Sequence, residues 1–394
     1  MIPRNLRHLR LFLAVADLKS LTLASQKCRV TQPAVSQAIG KMETAAGGTL
    51  FERTKQGFFL TSRGEVLAGR VARAFAILDP ALSDISQRLC LTMTFAQLQA
   101  LIAVRETENY TLAARRLGVA QPTVHRAVSQ IEREAKSGLF KRTSFGIVAT
   151  RACQALTQAA RLAICELDQA DSELAERDGR DIGRIVIGAL PLSRSALLPE
   201  VLVRFRKLRP NLSISVLDGP YDELLAGLRR GEIDFLLGAL RDPAPIGDIR
   251  QRRLFDDSLV LLCGRDHPLA KKRGVAPRDL ASYPWIVPRT GTPTRLQFDA
   301  LYDNLEQSAP IGIIESGSIL LMREMLNLSD HLGCISRLQA EAELSKGLLV
   351  ELDFIMDQPN RPIGMTTRHN WIPTAAQQQL LDILQAVEPC RDKL

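Results

Sequence analysis

The chain has 394 residues, 51 Lys and Arg against 43 Asp and Glu, a formal net charge of +8, and 7 cysteines. That length exceeds one small core and points to two or three domains. No apolar run reaches membrane length, Arg4, Arg7 and Arg10 interrupt the amino terminus, and the cysteines at 28, 90, 153, 165, 263, 334 and 390 contain no Cys-x-x-Cys pair. A cytoplasmic protein with reduced thiols, no signal peptide and no membrane partner is therefore expected. The five histidines, at 8, 125, 267, 331 and 369, show no metal-ligand spacing, and no glycine-rich nucleotide loop is present, so neither an enzyme nor a cofactor is expected.

The first periodic run, Leu6 to Val15, is followed by Leu21 to Ser25, a turn near Cys28 to Thr31, and a helix opening at Gln32-Pro33. Pro33 suits a first helical turn and Thr31 is the expected cap. Ala24 suits a close helix crossing, while Val30, Val35 and Ile39 are expected to face inward. Gln32, Ser36, Gln37 and Lys41 then point outward, as base edges and phosphates in a major groove require. The pattern is that of a helix-turn-helix. Leu50 to Thr54 and the stretch around Gly57 predict a two-stranded wing, with Arg53 set against phosphate or the minor groove.

A first linker, Gly64 to Arg88, carries an apolar side from Val66 to Leu78 and is expected to end or kink at Pro80. The chain then repeats itself. With a constant offset of 89 residues, Leu9 to Thr54 lies over Leu98 to Thr143 with 17 of 46 positions identical. The second copy offers Gln121, His125, Arg126 and Gln130 outward, Val119, Val124 and Val128 inward, and Arg142 in its wing. Its outward face differs from the first, so it is expected to add mainly nonspecific affinity or a subunit contact, with Arg115 and Arg116 as further basic residues. A bundle with a merely solvated polar helix would not explain the recurrence in register. The second linker, Ala152 to Arg177, has an uninterrupted apolar stripe from Leu156 to Leu174.

Charge follows this organisation. Residues 1–63 carry net +7, 64–89 zero, 90–152 net +5, 153–181 net −4, and 182–394 hold 26 of each sign. The basic excess sits where attraction to phosphate is useful. From Arg184 short β-branched runs, Ile185 to Gly188, Leu212 to Leu217 and Ile233 to Leu237, alternate with helices at Leu197 to Leu208 and Tyr221 to Arg230, predicting an α/β sheet. Trp285 to Val287 begins a second subdomain, and Leu348 to Phe354 is expected to help return the chain to the first. Ligands of open α/β sheets sit beyond the carboxyl ends of strands. Three polar loops fit: Ser193 to Ser195, Pro288 to Thr292, and Glu315 to Ser318. Ser193, Ser195, Arg289, Thr290, Ser316 and Ser318 are thus candidate effector contacts, with Arg289 suited to a carboxylate or phosphate.

The run Ala24 to Ile39, followed by Leu50-Phe51-Glu52-Arg53 and Thr61-Ser62-Arg63-Gly64, resembles the LysR-type transcriptional regulators. Leu198-Pro199, Gly231-Glu232-Ile233-Asp234 and His267-Pro268-Leu269-Ala270 are similar to the effector domain of the same family. The resemblance implies a winged helix-turn-helix, linker helices that pair subunits, with the uninterrupted second linker expected to form the main dimer seam, and an effector domain like the periplasmic binding proteins. It implies DNA contacts at Gln32, Pro33, Ser36, Gln37 and Arg53, with Lys41 and Lys55 beside phosphates. The second copy, with Gln121, His125, Arg126 and Arg142 in the matching places, departs from the family pattern.

The expected fold is multidomain: two mainly α winged helix-turn-helix units with helical linkers, then an α/β effector domain of two subdomains. The expected boundaries are 1–63, 64–89, 90–152, 153–181 and 182–394. The expected function is a small-molecule-responsive regulator that binds double-stranded promoter DNA as a homodimer or homotetramer. The alternative is a solute-sensing protein whose repeats serve as protein-interaction modules.

Overall fold

The computed structural model describes residues 1–144, 146–304, 312–356 and 359–387, which leaves Cys390 outside the described residues, and divides into two units, Met1–Gly183 and Arg184–Leu394. In the first unit three helices and a hairpin occur twice. The order is α1 (Leu6–Leu18), α2 (Leu21–Lys27), α3 (Gln32–Ala46), β1 (Phe51–Thr54), β2 (Gly57–Leu60) and α4 (Ser62–Ser83). A single turn, α5 (Leu89–Thr92), leads to α6 (Phe95–Thr107), α7 (Tyr110–Leu117), α8 (Gln121–Ala135), β3 (Phe140–Thr143), β4 (Gly146–Ala149) and α9 (Arg151–Arg177). Each hairpin is antiparallel, with Phe51 opposite Leu60 and Phe140 opposite Ala149. Pro80 does not stop α4, which runs three residues beyond it to Ser83.

Local chemistry sets most of these starts. Asn5, Ser20, Thr61, Thr94, Asn109 and Thr150 each accept a hydrogen bond from a backbone N–H in the first turn of the helix that follows. Apart from the one-turn α5, the exceptions in this unit are α3 and α8. Thr31 holds the cap position without making the expected side-chain bond, and Ala120 has no side chain to offer. Pro33 and Pro122, preset in φ and without an N–H, open both helices instead.

Equivalent residues keep equivalent bonds. Glu43 Oε1 accepts from Leu50 N at 2.9 Å and Phe51 N at 3.3 Å, and Glu132 Oε1 accepts from Leu139 N at 2.8 Å and Phe140 N at 3.3 Å. Each carboxylate ties its helix to its hairpin. The copies diverge where the long helices begin: a Cβ on Gly64 would lie 2.1 Å from Leu50 O, whereas the matching position holds Cys153, fully buried. Val119 also departs from expectation. It is 44% exposed, because the turn after Gly118 leaves it beside the core, while Val124 and Val128 are buried.

α4 and α9 lie antiparallel along one another, and their apolar stripes join one core that continues through both copies. Arg70, its side chain 5% exposed, donates to Glu166 at 3.0 Å, to Gln169 at 2.7 Å and to Glu173 at 2.6 and 3.0 Å. Burial pulls its basicity down, but the hydrogen bonds and charges of Glu173 and Glu166 outweigh this and hold it above the usual value. Arg73 reaches Glu166 at 2.9 Å, Arg63 reaches Asp178 at 2.5 Å, and Arg4 reaches Asp171 at 2.8 Å. This corrects the expected role of the second linker. Its stripe is covered within the chain, since acidic α9 finds its cations on α4 and near the amino terminus.

A small apolar cavity on this seam is lined by Leu6 with Phe95, Leu9 with Leu98, Ala74 with Ala163, Phe75 with Ile164, and Leu78 with Leu167. Every pair is separated by the repeat offset of 89. Equivalent residues on antiparallel helices meet in this way only around a two-fold axis, as at an isologous interface between identical subunits.

Among the described residues the second unit contains two five-stranded sheets. Its elements are β5 (Arg184–Ala189), α10 (Leu198–Leu208), β6 (Ser213–Leu217), α11 (Tyr221–Arg229), β7 (Phe235–Ala239), β8 (Ile249–Asp257), β9 (Leu259–Cys263), α12 (Pro277–Leu280), β10 (Trp285–Val287) and α13 (Pro293–Asn304), followed by β11 (Ile314–Glu315), α14 (Ile319–Leu328), β12 (Leu332–Ser336), α15 (Arg337–Ser345), β13 (Val350–Glu351), β14 (Arg361–Arg368) and α16 (Ala375–Ala386). The first sheet runs β6-β5-β7-β14-β8 and the second β11-β10-β12-β9-β13. β5 pairs parallel with β6 and β7, as helical crossovers require. Leu348 to Phe354 does not return the chain: β13 pairs with β9 in the second sheet, and β14 makes the return. The reason is the anchor at the start of β14, where buried Arg361 pairs with Asp257 at 2.9 Å.

Cys263 and Cys334 sit on neighbouring strands but out of register, Cys334 opposite Leu261 and Cys263 opposite Val350. Burial pushes both thiols up to about 12. They are core residues.

The seam yields a stability test. Arg70→Met together with Arg73→Met strands Glu166 in the interior, and breaking a buried pair from one side should cost about 3–5 kcal/mol of unfolding free energy. Chemical denaturation of the full chain reads this; a loss under about 1 kcal/mol would mean that apolar contacts alone hold the seam.

Candidate nucleic-acid interface and effector cleft

On α3, Val35, Ala38, Ile39 and Met42 are buried while Gln32, Pro33, Ser36, Gln37 and Lys41 are exposed. On α8 the same division places Val124, Val128 and Ile131 in the core and leaves Gln121, His125, Arg126 and Gln130 exposed. Each helix thus presents a contiguous polar face with an uncapped amino terminus, where free N–H groups favour anions. Arg53 is exposed on β1 with its guanidinium 5.8 Å from the Phe58 ring centroid, Lys55 is exposed in the hairpin turn, and Arg142 is exposed on β3. Gly57 is required in the first hairpin: its φ is +133°, and a Cβ there would meet Lys19 O at 2.5 Å.

The second copy's polar face makes side-chain contacts of its own. The His125 ring lies 5.2 Å from the Tyr110 ring, and its Nδ1 is 3.4 Å from Ser129 Oγ. Arg126 makes no hydrogen bond or ion pair among the described residues. Arg116 pairs with Glu106, which also holds Arg161.

In the second unit the candidate effector residues divide by what their polar atoms are doing. Ser193 lies in a π-helical turn, Ser193–Leu197, packed against α15, and its hydroxyl is buried without a partner among the described residues. Ser195 donates to Pro191 O at 2.9 Å, Thr290 donates to Glu315 at 2.6 Å, and Ser318 caps α14. Ser316 Oγ accepts from Ser318 N at 3.1 Å. These four are engaged in shaping loops. The Glu315 carboxyl is held below its ordinary range by hydrogen bonds from Thr290 and Arg295. Arg289 is exposed and makes no ion pair among the described residues.

The loops do converge. A Cβ on Gly317 would lie 3.9 Å from Pro191 Cγ, and Arg361 of the first sheet donates to Thr294 at the start of α13. Sequence reasoning missed Arg241 and Tyr221. Arg241 follows β7, its guanidinium 4.5 Å over the Tyr221 ring, and burial draws its basicity down. Tyr221 opens α11, after β6, with its hydroxyl buried and without a partner among the described residues. Position beyond the β7 carboxyl end was the signal available for Arg241.

A family profile described as the LysR substrate binding domain matches residues 178–388, and one described as a bacterial regulatory helix-turn-helix protein of the lysR family matches residues 6–65 and again 95–154. The HTH-type transcriptional regulator GalR of Pseudomonas putida is 32% identical over 386 residues, 97% of each chain. The chain belongs to the LysR family. The HTH-type transcriptional regulator CbbR of Rhizobium meliloti is 28% identical over 291 residues, 73% of this chain and 90% of that one. A full-length CbnR structure in complex with target DNA shares the fold at 19% identity and a TM-score of 0.53, covering 75% of this chain and 99% of its own. A full-length OxyR variant from Pseudomonas aeruginosa gives 21% identity and a TM-score of 0.53 over 76% and 100%. As a LysR-family member, the protein is a transcriptional regulator rather than an enzyme, with a helix-turn-helix amino-terminal region and a two-subdomain α/β effector-binding domain. No helix among the described residues is long and apolar enough to cross a membrane.

For this LysR-family chain, Gln32→Ala should leave thermal unfolding unchanged and lose about 1–3 kcal/mol of discrimination at one base pair. Val35→Asp should instead unfold the first copy, by placing a charge in its core. Circular dichroism with competition binding separates the two outcomes, and unchanged sequence preference in Gln32→Ala would remove Gln32 from the reading face.

Proposed function

We infer that the first unit carries two winged helix-turn-helix modules, residues 1–63 and 90–152, and binds promoter DNA through them. α3 and α8 enter major grooves, with Gln32, Ser36 and Gln37 on one and Gln121, His125 and Arg126 on the other at base edges. Pro33 lies at the groove wall, and Lys41, Arg53, Lys55 and Arg142 lie against the backbone. The observation that carries this reading is the repeated polar face with an uncapped helix amino terminus, held over a buried core in both copies. The effector domain, residues 182–394, takes a small anion beyond the carboxyl ends of β5, β6 and β7. Ser193, Tyr221 and Arg241 contribute from one subdomain; Arg289, with the Thr290 and Ser316 to Ser318 loops, contributes from the other. Two buried hydroxyls without partners and two arginines without ion pairs among the described residues support that chemistry. Chains associate further through surfaces outside the α4–α9 seam.

Footprinting on DNA upstream of the protein's own gene, repeated across salt concentrations, tests the first part. Affinity should fall steeply with salt, and Arg142→Ala should lower the slope by about one unit. Binding that is absent or insensitive to salt would favour protein-interaction modules instead. For the cleft, calorimetry with carboxylates, phosphorylated sugars and neutral sugars should find an anion whose affinity drops at least about tenfold in Arg289→Ala or Arg241→Ala. Unchanged affinity in both variants would remove the cleft assignment.

A further inference from the structure

We propose that a single chain recognises one DNA site made of two unlike half-sites, α3 reading one and α8 the other. This rests on the DNA-binding reading above and goes beyond it, since it assigns the symmetry of the target.

Two-fold related reading helices ordinarily come from two identical chains, and the DNA site they select is then palindromic. Here the axis lies inside one chain. The five residue pairs around the seam cavity show it, and the connection between the copies is itself packed, with Leu89 and Met93 buried and Thr92 bonded to Glu134 of α8. An internal axis sets α8 in the same relation to DNA as α3, one half-site away. The second copy is then a reader, where its sequence alone suggested mainly nonspecific affinity.

The seam also selects unlike partners. Were two α9 helices paired in the same register, the places held by Arg70 and Arg73 would be taken by Ala159 and Leu162, leaving Glu166, itself 6% exposed, with no cation. Were two α4 helices paired, Ile77 and Pro80 would replace Glu166 and Gln169 beside Arg70, leaving Asp84, one methylene shorter, alone in the place of Glu173. Either homotypic pairing buries an incompletely satisfied charge, so α4 with α9 is the favoured combination.

The faces presented by the two helices agree in part. Gln32 matches Gln121 and Arg53 matches Arg142, but Ser36 becomes His125, Gln37 becomes Arg126 and Lys41 becomes Gln130. Arg126, exposed and without a partner among the described residues, suits bidentate pairing with guanine, which Gln37 does not. The half-sites should share one base feature and differ at the neighbouring one, with centres a whole number of helical turns apart.

Selection from randomised duplexes by the full chain is the test. Wild type should enrich a non-palindromic bipartite site. Arg126→Ala should relax preference in one half by about ten- to hundredfold, and Ser36→Ala with Gln37→Ala should relax the other half. The triple change His125→Ser, Arg126→Gln and Gln130→Lys, which rebuilds the α3 face on α8, should turn the selected site into a palindrome. Co-expressing the Arg126→Ala chain with the Ser36→Ala, Gln37→Ala chain should not restore wild-type binding, because each chain carries both readers. A palindrome selected by wild type, a uniform loss across sequences in Arg126→Ala, or restoration on co-expression would each overturn the proposal while leaving DNA binding intact. Absence of salt-dependent DNA binding would instead overturn the reading on which it rests.

Discussion

The first unit depends on the satisfaction of Arg70. Its guanidinium is removed from water between two long helices, and in that setting a charge is tolerable only when its donors are met. Glu166, Gln169 and Glu173 meet them from one face of α9, three to four residues apart as successive helical turns allow. Apolar contact along α4 and α9 supplies attraction without choosing a partner, and the buried charges make the choice. The acidic segment 153–181 and the basic residues of α4 are therefore two halves of one interaction.

That choice positions everything attached to the seam. Each long helix begins where its hairpin ends, with Thr61 and Thr150 capping α4 and α9, and each hairpin is fastened to its preceding helix by Glu43 or Glu132. Core positions on α3 and α8 stay apolar in both copies, as Val35 with Val124 and Ile39 with Val128, because packing constrains them. Several outward residues differ, as Ser36 from His125 and Gln37 from Arg126, because solvent does not constrain them. One scaffold can thus hold two different polar faces in a fixed mutual orientation.

In the effector domain, rigidity and chemistry are assigned to different atoms. Ser195, Thr290, Ser316 and Ser318 spend their polar atoms on loop geometry and a helix cap, and the Arg361–Asp257 pair anchors the strand that returns to the first sheet. In the proposed cleft the groups left for a ligand lie mostly at strand ends: the Ser193 and Tyr221 hydroxyls and the Arg241 guanidinium. Unsatisfied buried hydroxyls are costly, and at strand ends they support the cleft proposed above.

The helix periodicities, the repeat at offset 89, the charge division and the β-branched runs were legible in the chain, because hydrophobic period and turn chemistry are local properties. The outward sets on α3 and α8 followed from the same arithmetic. Val119 did not, since one turn decides whether a residue beside a helix joins the core. The Ser and Thr residues of the effector loops read as candidate contacts because sequence does not reveal whether a hydroxyl is already bonded; Arg241 and Tyr221 escaped because their approach joins strand ends twenty residues apart. The apolar stripe of α9 announced a partner without naming one. Only the tertiary structure placed Arg70 against Glu166 across 96 residues, turning an expected contact between subunits into one within the chain. Local sequence fixes which surface must be covered, and the long-range satisfaction of buried charge decides what covers it.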